Sequence, residues 1–250
     1  IWEEHLEIVN RNIKSGQTSC YIFEVGNVFY KSSEFIQEEI LNGAIFGNKK
    51  FGAWVNSGKD NDLNYYEARG KLKEALSSLN IKVDDKPTNS IDFLHPGRTA
   101  KLFIEGKDAG YFGEIHPKLI LDKTALKKVY LFSINVANLL GASTRKNKWI
   151  PIYKQYPIVP KMERDINFIF SKEHLISEIT SEIRKTGKNL LEDVNLIDVF
   201  KDINFGEDFI SYTFRLSYRD KDKTLLDSDI SSIHSNIVSK VEKRFNTKLR

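Results

Sequence analysis

Cysteine is nearly absent from this chain of 250 residues, which contains only Cys20. A single thiol cannot form an internal disulfide, and it cannot supply the cysteine pairs of a zinc ribbon or a redox motif. No apolar run approaches the roughly 20 residues that a membrane-spanning helix needs, and no basic segment precedes an apolar one as in a signal peptide. We exclude a secreted disulfide scaffold and expect a chain without membrane spans in a reducing compartment, the cytoplasm or its organellar equivalent.

A strong excess of one charge is also missing. The chain has 38 Lys+Arg and 34 Asp+Glu, a formal net charge of +4. Residues 151–250 hold 17 Lys+Arg against 16 Asp+Glu, and the first 150 residues hold 21 against 18. Neither half is a basic block of the kind that marks strong electrostatic binding of nucleic acid. With 40% hydrophobic and 29% charged residues, the composition is typical of a folded globular protein.

One segment interrupts the apolar periodicity of the chain. Residues 141–151, GASTRKNKWIP, are small, polar and basic, so we predict two domains, 1–150 and 151–250. The chain begins within a helical pattern, with Trp2, Leu6, Val9 and Ile13 on one face. We therefore expect it to be a piece of a longer polypeptide.

The first domain is predicted to be an antiparallel sheet with a few helices. Strand-like runs cover residues 20–30, as one strand or a pair around Gly26, then 39–47 and 129–140, the last running into a short helix. Residues 65–80 have a helical apolar face. Residues 99–117 predict a hairpin whose turn contains Gly106, a residue that accepts the positive φ of a tight turn.

The second domain reads strand, helix, strand, strand, helix, strand, which is the ferredoxin-like βαββαβ order. Ser171 and either Asp227 or Ser228 are candidate helix caps, and the final TKLR is a possible edge strand. Strand alternation assigns one set of side chains to the face that carries the helices. That set comprises Ile166, Phe168, Phe170, Tyr212, Phe214, Leu216 and Tyr218.

The opposite face of this sheet is predicted to be open. Arg215 and Arg219 lie on it, and an open sheet with arginines and nearby aromatic residues suits single-stranded RNA. Lys221 and Lys223 follow in a turn from which they could reach phosphates. The predicted RNA-binding set is Arg164, Arg215, Tyr218, Arg219, Lys221 and Lys223. A solvated sheet face remains the alternative for the two strand arginines, and intradomain pairing remains the alternative for Arg164.

Other reactive residue types have structural interpretations. His95 and His116 precede proline and lack the further ligands of a metal site, so we assign them to turns. Arg98 could touch a nucleotide phosphate, but without surrounding partners we favour a salt bridge. Cys20 fits a buried thiol better than a nucleophile. We predict no catalytic residue and no metal ligand.

Several spaced motifs resemble one known family. They are FEVGNVF at 23–29, ARGKLKEAL at 68–76, FLHPGRTAKL at 93–102, GEIHP at 113–117, Tyr156-Pro157, Arg164-Asp165, Lys223-Thr224-Leu225 and Leu249-Arg250. Together they resemble the C-terminal portion of the β subunit of bacterial-type phenylalanyl-tRNA synthetases, which ends in a ferredoxin-fold anticodon-binding domain. That family usually has Phe-Pro and Arg-Thr-Leu where this chain has Tyr-Pro and Lys-Thr-Leu.

The resemblance implies an α+β chain with two roles. Its first domain would be similar to a class II synthetase core without catalytic motifs, which supports the catalytic α subunit. Its second domain would bind the anticodon region of tRNA(Phe). The implied holoenzyme is an α2β2 tetramer that uses ATP and magnesium, with no cofactor held by this fragment, which alone should be inactive. The residues leave two alternatives open, an amino-acid-sensing regulatory module and a protein-interaction scaffold.

Overall fold

The computed structural model describes residues 2–31, 35–49, 61–119, 128–145, 153 and 155–250. The chain divides into two compact units, Ile1–Ile152 and Tyr153–Arg250. Residues 146–151 of the predicted boundary segment lie outside the described residues, as does Ile1.

The described part of the first unit contains a seven-stranded antiparallel sheet. Its order is β1-β2-β7-β6-β5-β4, and β3 pairs with β2 beside this path. The elements in chain order are α1 (Trp2–Lys14), β1 (Ser19–Lys31), β2 (Phe35–Lys49), β3 (Asn61–Asp62), α2 (Tyr65–Ser77), β4 (Val83–Pro87), β5 (Leu94–Ile104), β6 (Lys107–Ile115), β7 (Val129–Asn135) and α3 (Val136–Ser143).

Helices cover both faces of this sheet. Strand alternation sends Tyr130, Phe132 and Ile134 of β7 into one apolar cluster together with residues of α2 and α3. Val129 and Leu131 point the other way, into a cluster that includes Val9 of α1. The near-continuous apolar sequence of β7 thus reflects a strand buried on both sides.

Two predictions for the first unit are resolved by its backbone. Residues 20–30 belong to one uninterrupted strand, because Gly26 pairs with Ile40 in regular register. The predicted hairpin is confirmed: Glu105 and Gly106 join β5 to β6 with φ of 51° and 81°. Gly106 tolerates this left-handed conformation because it has no Cβ.

The second unit follows the predicted βαββαβ order up to its last strand. Its elements are β8 (Met162–Ser171), α4 (Ile176–Gly187), β9 (Leu191–Phe200), β10 (Phe209–Tyr218) and α5 (Asp227–Phe245). The three strands pair antiparallel in the order β8-β10-β9. The predicted last strand is reduced to one antiparallel bridge between Leu249 and Phe168, on the free side of β8.

The predicted core face is confirmed, whereas the predicted helix caps are wrong. All seven predicted side chains are buried in one cluster with residues of α4 and α5. Leu175, not Ser171, precedes α4. Leu226 precedes α5, and its backbone N–H donates to Asp229 Oδ2 at 3.0 Å. The carboxylate of the first helical turn therefore caps α5 instead of Asp227 or Ser228.

Candidate nucleic-acid interface

Arg215 lies on the face of the second sheet opposite the core, as predicted, but its charge is compensated. The strand register places it opposite Asp165, and its Nε and Nη2 donate to the two carboxylate oxygens at 2.9 and 2.8 Å. Glu163 Oε2 lies 3.9 Å from the same Nε. These contacts lower the pKa of Asp165 and raise that of Arg215. An arginine held between two carboxylates attracts a phosphate weakly.

Arg164 occupies the other side of the strand. It alternates with Asp165 and pairs with Leu216, a core residue. Its guanidinium forms an ion pair with Asp227 at the start of α5. Of the two interpretations of Arg164, intradomain pairing is the one observed in the structure.

Tyr218 must be removed from the predicted RNA-binding surface. Its side chain is fully buried, and its hydroxyl is hydrogen bonded to His234 Nδ1 at 3.1 Å. Burial raises the pKa of Tyr218 to about 12. Burial and, secondarily, the nearby Arg164 charge lower the pKa of His234. A ring in this position fills the core and cannot stack on a base.

Arg219 and Lys221 come together in a cleft of about 710 Å³ at the end of β10. The cleft is lined by Gln155, Tyr156, Pro157, Ile158, Asn189, Glu192, Arg219, Asp220, Lys221 and Asp222. Glu192 Oε2 lies 3.0 Å from Arg219 Nε. With Asp220 and Asp222, three carboxylates line the cleft beside its two cations. Lys223 lies outside this lining and contacts Asp229 at 3.3 Å. This end of the sheet is therefore mixed in charge.

A second cluster, which sequence reasoning missed, lies on the open face at the opposite end of the sheet. The Arg250 guanidinium lies 5.5 Å from the ring centre of Phe200 and 5.1 Å from that of Phe205. We call these three residues the aromatic–arginine cluster. The backbone N–H of Arg250 donates to the Asn167 carbonyl at 2.9 Å, which ties the end of the chain to β8.

Arg250 differs from the other arginines of the second unit. Arg164, Arg184, Arg215, Arg219 and Arg244 each lie beside a carboxylate. Within the described part of the chain, Arg250 has no such partner and contacts aromatic rings instead. Its positive charge is therefore available to an anionic ligand, and its planar face is already paired with π systems.

Small polar side chains lie beside the aromatic–arginine cluster. Ser211 pairs in register with Phe200, and Thr213 pairs with Asp198. Asn167 joins both: it donates to Thr213 Oγ1 at 2.6 Å and accepts from Ser211 Oγ at 2.9 Å. Ser211 is buried and these amide and hydroxyl groups already bond to one another. The exposed Asp198 carboxylate is therefore the group beside the ring that can accept from the edge of an unstacked base.

Further cations border this end of the sheet. A shallow cleft of about 500 Å³ is lined by Lys172, Lys201, Asp202, Ile203, Gly206, Glu207 and Phe209. Ile203 is 97% exposed. The sequence signal for this region was the apolar LIDVF run of β9, whose Ile197, Val199 and Phe200 are exposed although they are hydrophobic.

The residues considered for chemistry in the first unit have structural roles. Arg98 Nη1 lies 2.8 Å from the buried Glu114 carboxylate, so the expected salt bridge is confirmed. His95 Nδ1 accepts from Gly97 N and His116 Nδ1 from Lys118 N, each at 3.1 Å, which fixes two His-Pro turns. Partial burial raises the pKa of the Cys20 thiol. The described residues include no group of three or more His, Cys, Asp or Glu arranged to hold a metal ion.

Two family models match the chain. The ferredoxin-fold anticodon binding domain matches residues 157–250, which agrees with the βαββαβ fold of the second unit. The phenylalanyl tRNA synthetase beta chain CLM domain matches residues 1–136. The chain therefore belongs to the phenylalanyl-tRNA synthetase beta chain family.

Curated relatives are similar to the chain over its whole length. The phenylalanine–tRNA ligase beta subunit of Prochlorococcus marinus strain MIT 9312 is 82% identical over 250 residues, which are 100% of this chain and 31% of the relative. That of Synechococcus sp. strain CC9902 is 41% identical over 251 residues, with the same coverage. The chain thus spans about a third of the length of these relatives.

One solved structure matched by the chain is a pyrrolysyl tRNA synthetase, PylSc, from Desulfitobacterium hafniense. It has 13% sequence identity and a TM-score of 0.38, over 57% of this chain and 50% of that one, a similarity too low to assign the first unit to a fold class. Separately, none of the helices in the described ranges is both long and apolar enough to cross a membrane.

Proposed function

We propose that this chain is part of a phenylalanine–tRNA ligase beta subunit, in which the second unit binds the anticodon region of tRNA(Phe). The first unit, a class II synthetase-like core without catalytic groups, supports the catalytic alpha subunit in an α2β2 tetramer. ATP and magnesium are used by that holoenzyme in the cytoplasm or its organellar equivalent.

The aromatic–arginine cluster carries the tRNA part of this proposal. Anticodon bases are unpaired, so they can stack on exposed rings, and the adjacent phosphates need a cation. Phe200 and Arg250 offer both on one open face. The sequence-predicted Arg215 contributes less, since Asp165 already accepts two of its N–H groups.

The proposed lack of a nucleotide site in the first unit is supported by the pairing of Arg98. The sequence made Arg98 the candidate for binding a nucleotide phosphate. In the structure, its Nη1 lies 2.8 Å from the buried Glu114 carboxylate. Because this carboxylate offsets the charge of Arg98, the guanidinium attracts a phosphate weakly.

A Phe200→Leu variant of the 250-residue chain tests the tRNA proposal. It keeps an apolar side chain but removes the ring, and a stacked base is worth about 1–3 kcal/mol. We expect the dissociation constant for tRNA(Phe), measured by fluorescence anisotropy, to rise about five-fold or more. Phe35→Leu, the same change at an exposed ring of the first unit, is the matched control and should leave affinity unchanged.

A second experiment compares the tRNA affinity of charge variants at two salt concentrations. Arg250→Ala should reduce the salt dependence of tRNA affinity by about one counterion, whereas the double variant Arg215→Gln, Arg219→Gln should change it less. A larger effect of the double variant would indicate that tRNA binds instead at the end of the sheet that contains Arg219. Absence of any tRNA affinity in the parent chain would favour the interaction-scaffold alternative.

A further inference from the structure

The turn between β9 and β10 carries an isoleucine that is almost completely exposed. β9 ends at Phe200, and a 3-10 turn, Ile203–Phe205, leads to the start of β10 at Phe209. Ile203 is 97% exposed and takes no part in the apolar core. One exposed apolar side chain needs no explanation by itself, but the order of this turn and the residues beside it indicate a role for Ile203.

The turn is held in one conformation by its own hydrogen bonds. Asp202 Oδ1 accepts from the backbone N–H of Asn204 at 2.9 Å. The backbone N–H of Phe205 donates to the Asp202 carbonyl and that of Gly206 to the Ile203 carbonyl, each at 3.1 Å. Gly206 then has a φ of 88°, which a residue without a Cβ accepts. A turn that is already ordered loses little entropy when a ligand binds to it.

The same turn is fixed to the sheet and to the aromatic–arginine cluster. The rings of Phe205 and Phe200 meet edge to face, with 6.2 Å between their centres. At the end of β8, the backbone N–H of Lys172 donates to the Asp208 carbonyl at 2.9 Å, and Lys172 Nζ donates to the Glu207 carbonyl. Ile203 is therefore held at a defined place beside the cluster.

Phe209 adds a further ring to the open face. Its neighbours Ile210 and Tyr212 belong to the core, so alternation directs Phe209 and Ser211 to the opposite face. Ser211 pairs with Phe200, and Phe209 lies two residues from Ser211, so Phe209 and Phe200 are diagonal neighbours on adjacent strands. Phe209 is partly exposed. Two rings thus follow one another along the open face.

Ile203 and Phe209 line one cleft of about 500 Å³ next to the aromatic–arginine cluster. This volume lies within the range of sites for small ligands. The apolar part of its lining suits the face of an unpaired base, since isoleucine and phenylalanine both pack against unstacked bases.

The charged part of the lining suits a single phosphate. Two lysines and two carboxylates line the cleft, Lys172, Lys201, Asp202 and Glu207. Lys201 directly follows Phe200 and has no ion-pair partner in the described part of the chain. One carboxylate oxygen of Asp202 is already used by the turn. Equal numbers of positive and negative groups favour one phosphodiester over a polyphosphate.

We propose that this cleft is a second nucleotide subsite. Phe209 and Ile203 contact the unpaired base that neighbours the base stacked on Phe200, and Lys201 contacts the phosphate that joins the two nucleotides. This inference rests on the proposed function, because it concerns the same RNA on the same open face.

An Ile203→Ser variant of the 250-residue chain tests the subsite. The side chain is almost fully exposed, so its replacement leaves folding intact. The probe is a synthetic stem–loop with the anticodon loop sequence of tRNA(Phe), and its dissociation constant is measured by fluorescence anisotropy. We expect the constant to rise about three-fold or more, a smaller effect than the loss of a stacked ring. Ile158→Ser, the same change at another exposed isoleucine of the second unit, is the matched control and should bind like the parent.

Stem–loops with one abasic nucleotide identify the base that each side chain contacts. The three anticodon positions are made abasic one at a time. The effect of Ile203→Ser should vanish at one position and that of Phe200→Leu at the position next to it, because a contact that is already missing cannot be lost twice.

The results separate this proposal from the proposed function. A parent chain without affinity for the stem–loop would overturn both. A parent that binds and is weakened by Phe200→Leu, but not by Ile203→Ser, would overturn the second subsite alone. Loss of both effects at the same abasic position, or at positions that are not neighbours, would also overturn it.

Discussion

The arginines of the second unit show that exposure alone does not make a cation available for binding. Arg215 and Arg250 both lie on the open face, yet Arg215 donates to both oxygens of Asp165 and Arg250 lies over two phenylalanine rings. A carboxylate neutralises the guanidinium, while a ring leaves its charge and its N–H donors in place. Whether each arginine is available to bind an anion therefore depends on the side chain that it contacts.

His234 makes the stability of the second unit dependent on pH. Burial lowers its pKa from the ordinary value of 6.5, so near and below that pH the unfolded chain binds a proton that the folded chain resists. Stability is therefore fully present above pH 6.5 and is lost as pH falls toward the lowered pKa. Urea unfolding at a series of pH values should show this loss in the parent chain.

A His234→Gln variant isolates this contribution, because glutamine has no titratable group. Its free energy of unfolding should fall less steeply below pH 6.5 than that of the parent. Equal slopes for the two proteins would show that His234 titrates alike in the folded and unfolded states.

Strand alternation was the most reliable sequence signal at the scale of elements. It correctly separated Phe214 and Leu216 from Thr213 and Arg215 in β10, because a side-chain period of two fixes the face of each residue. Helix starts were less predictable. Several Ser and Asp residues flank α5, and only the folded backbone selects Asp229 as the acceptor for its first turn.

Gly110 allows β6 to lie close to β7, and this contact can be tested. Its φ is +137°, and a Cβ at this position would lie 1.9 Å from the Ser133 carbonyl oxygen. The pairing of β5 with β6 shifts register between Leu102 and Phe103, so β6 has one extra residue next to Gly110. Gly110→Ala should lower the free energy of unfolding by about 2 kcal/mol or more, since a central strand must move.

Gly70→Ala is the matched control for this change. Gly70 lies within α2, and a Cβ there meets no atom within 4 Å, so the substitution should stabilise the chain by about 0.5–1 kcal/mol. Equal effects of the two substitutions in urea unfolding would contradict the close-contact explanation.

Each of the two units is built around its own apolar residues. The second has one cluster that joins all three strands to α4 and α5, and the first has one cluster on each face of its sheet. The sequence showed the boundary between the two units, because apolar periodicity is absent there. It did not show which surfaces of each unit remain uncovered, because this depends on where the helices lie.

The proposed roles predict the catalytic behaviour of the chain as a whole. The isolated 250-residue chain should give no phenylalanine-dependent ATP–pyrophosphate exchange, because its candidate phosphate-binding arginine is held by Glu114. A complete ligase containing both subunits is the positive control. Robust exchange by the chain alone would show that the first unit contains a working nucleotide site.

The sequence by itself determined the element order, the buried faces of the strands and the family. These follow from local periodicity and from motifs that are contiguous in the chain. The tertiary structure decided which cations are neutralised and which are free. Phe200 and Arg250 are 50 positions apart, and Asp165 and Arg215 are equally distant. Such partners are set by strand register and by the return of the chain end to β8, which no local pattern encodes.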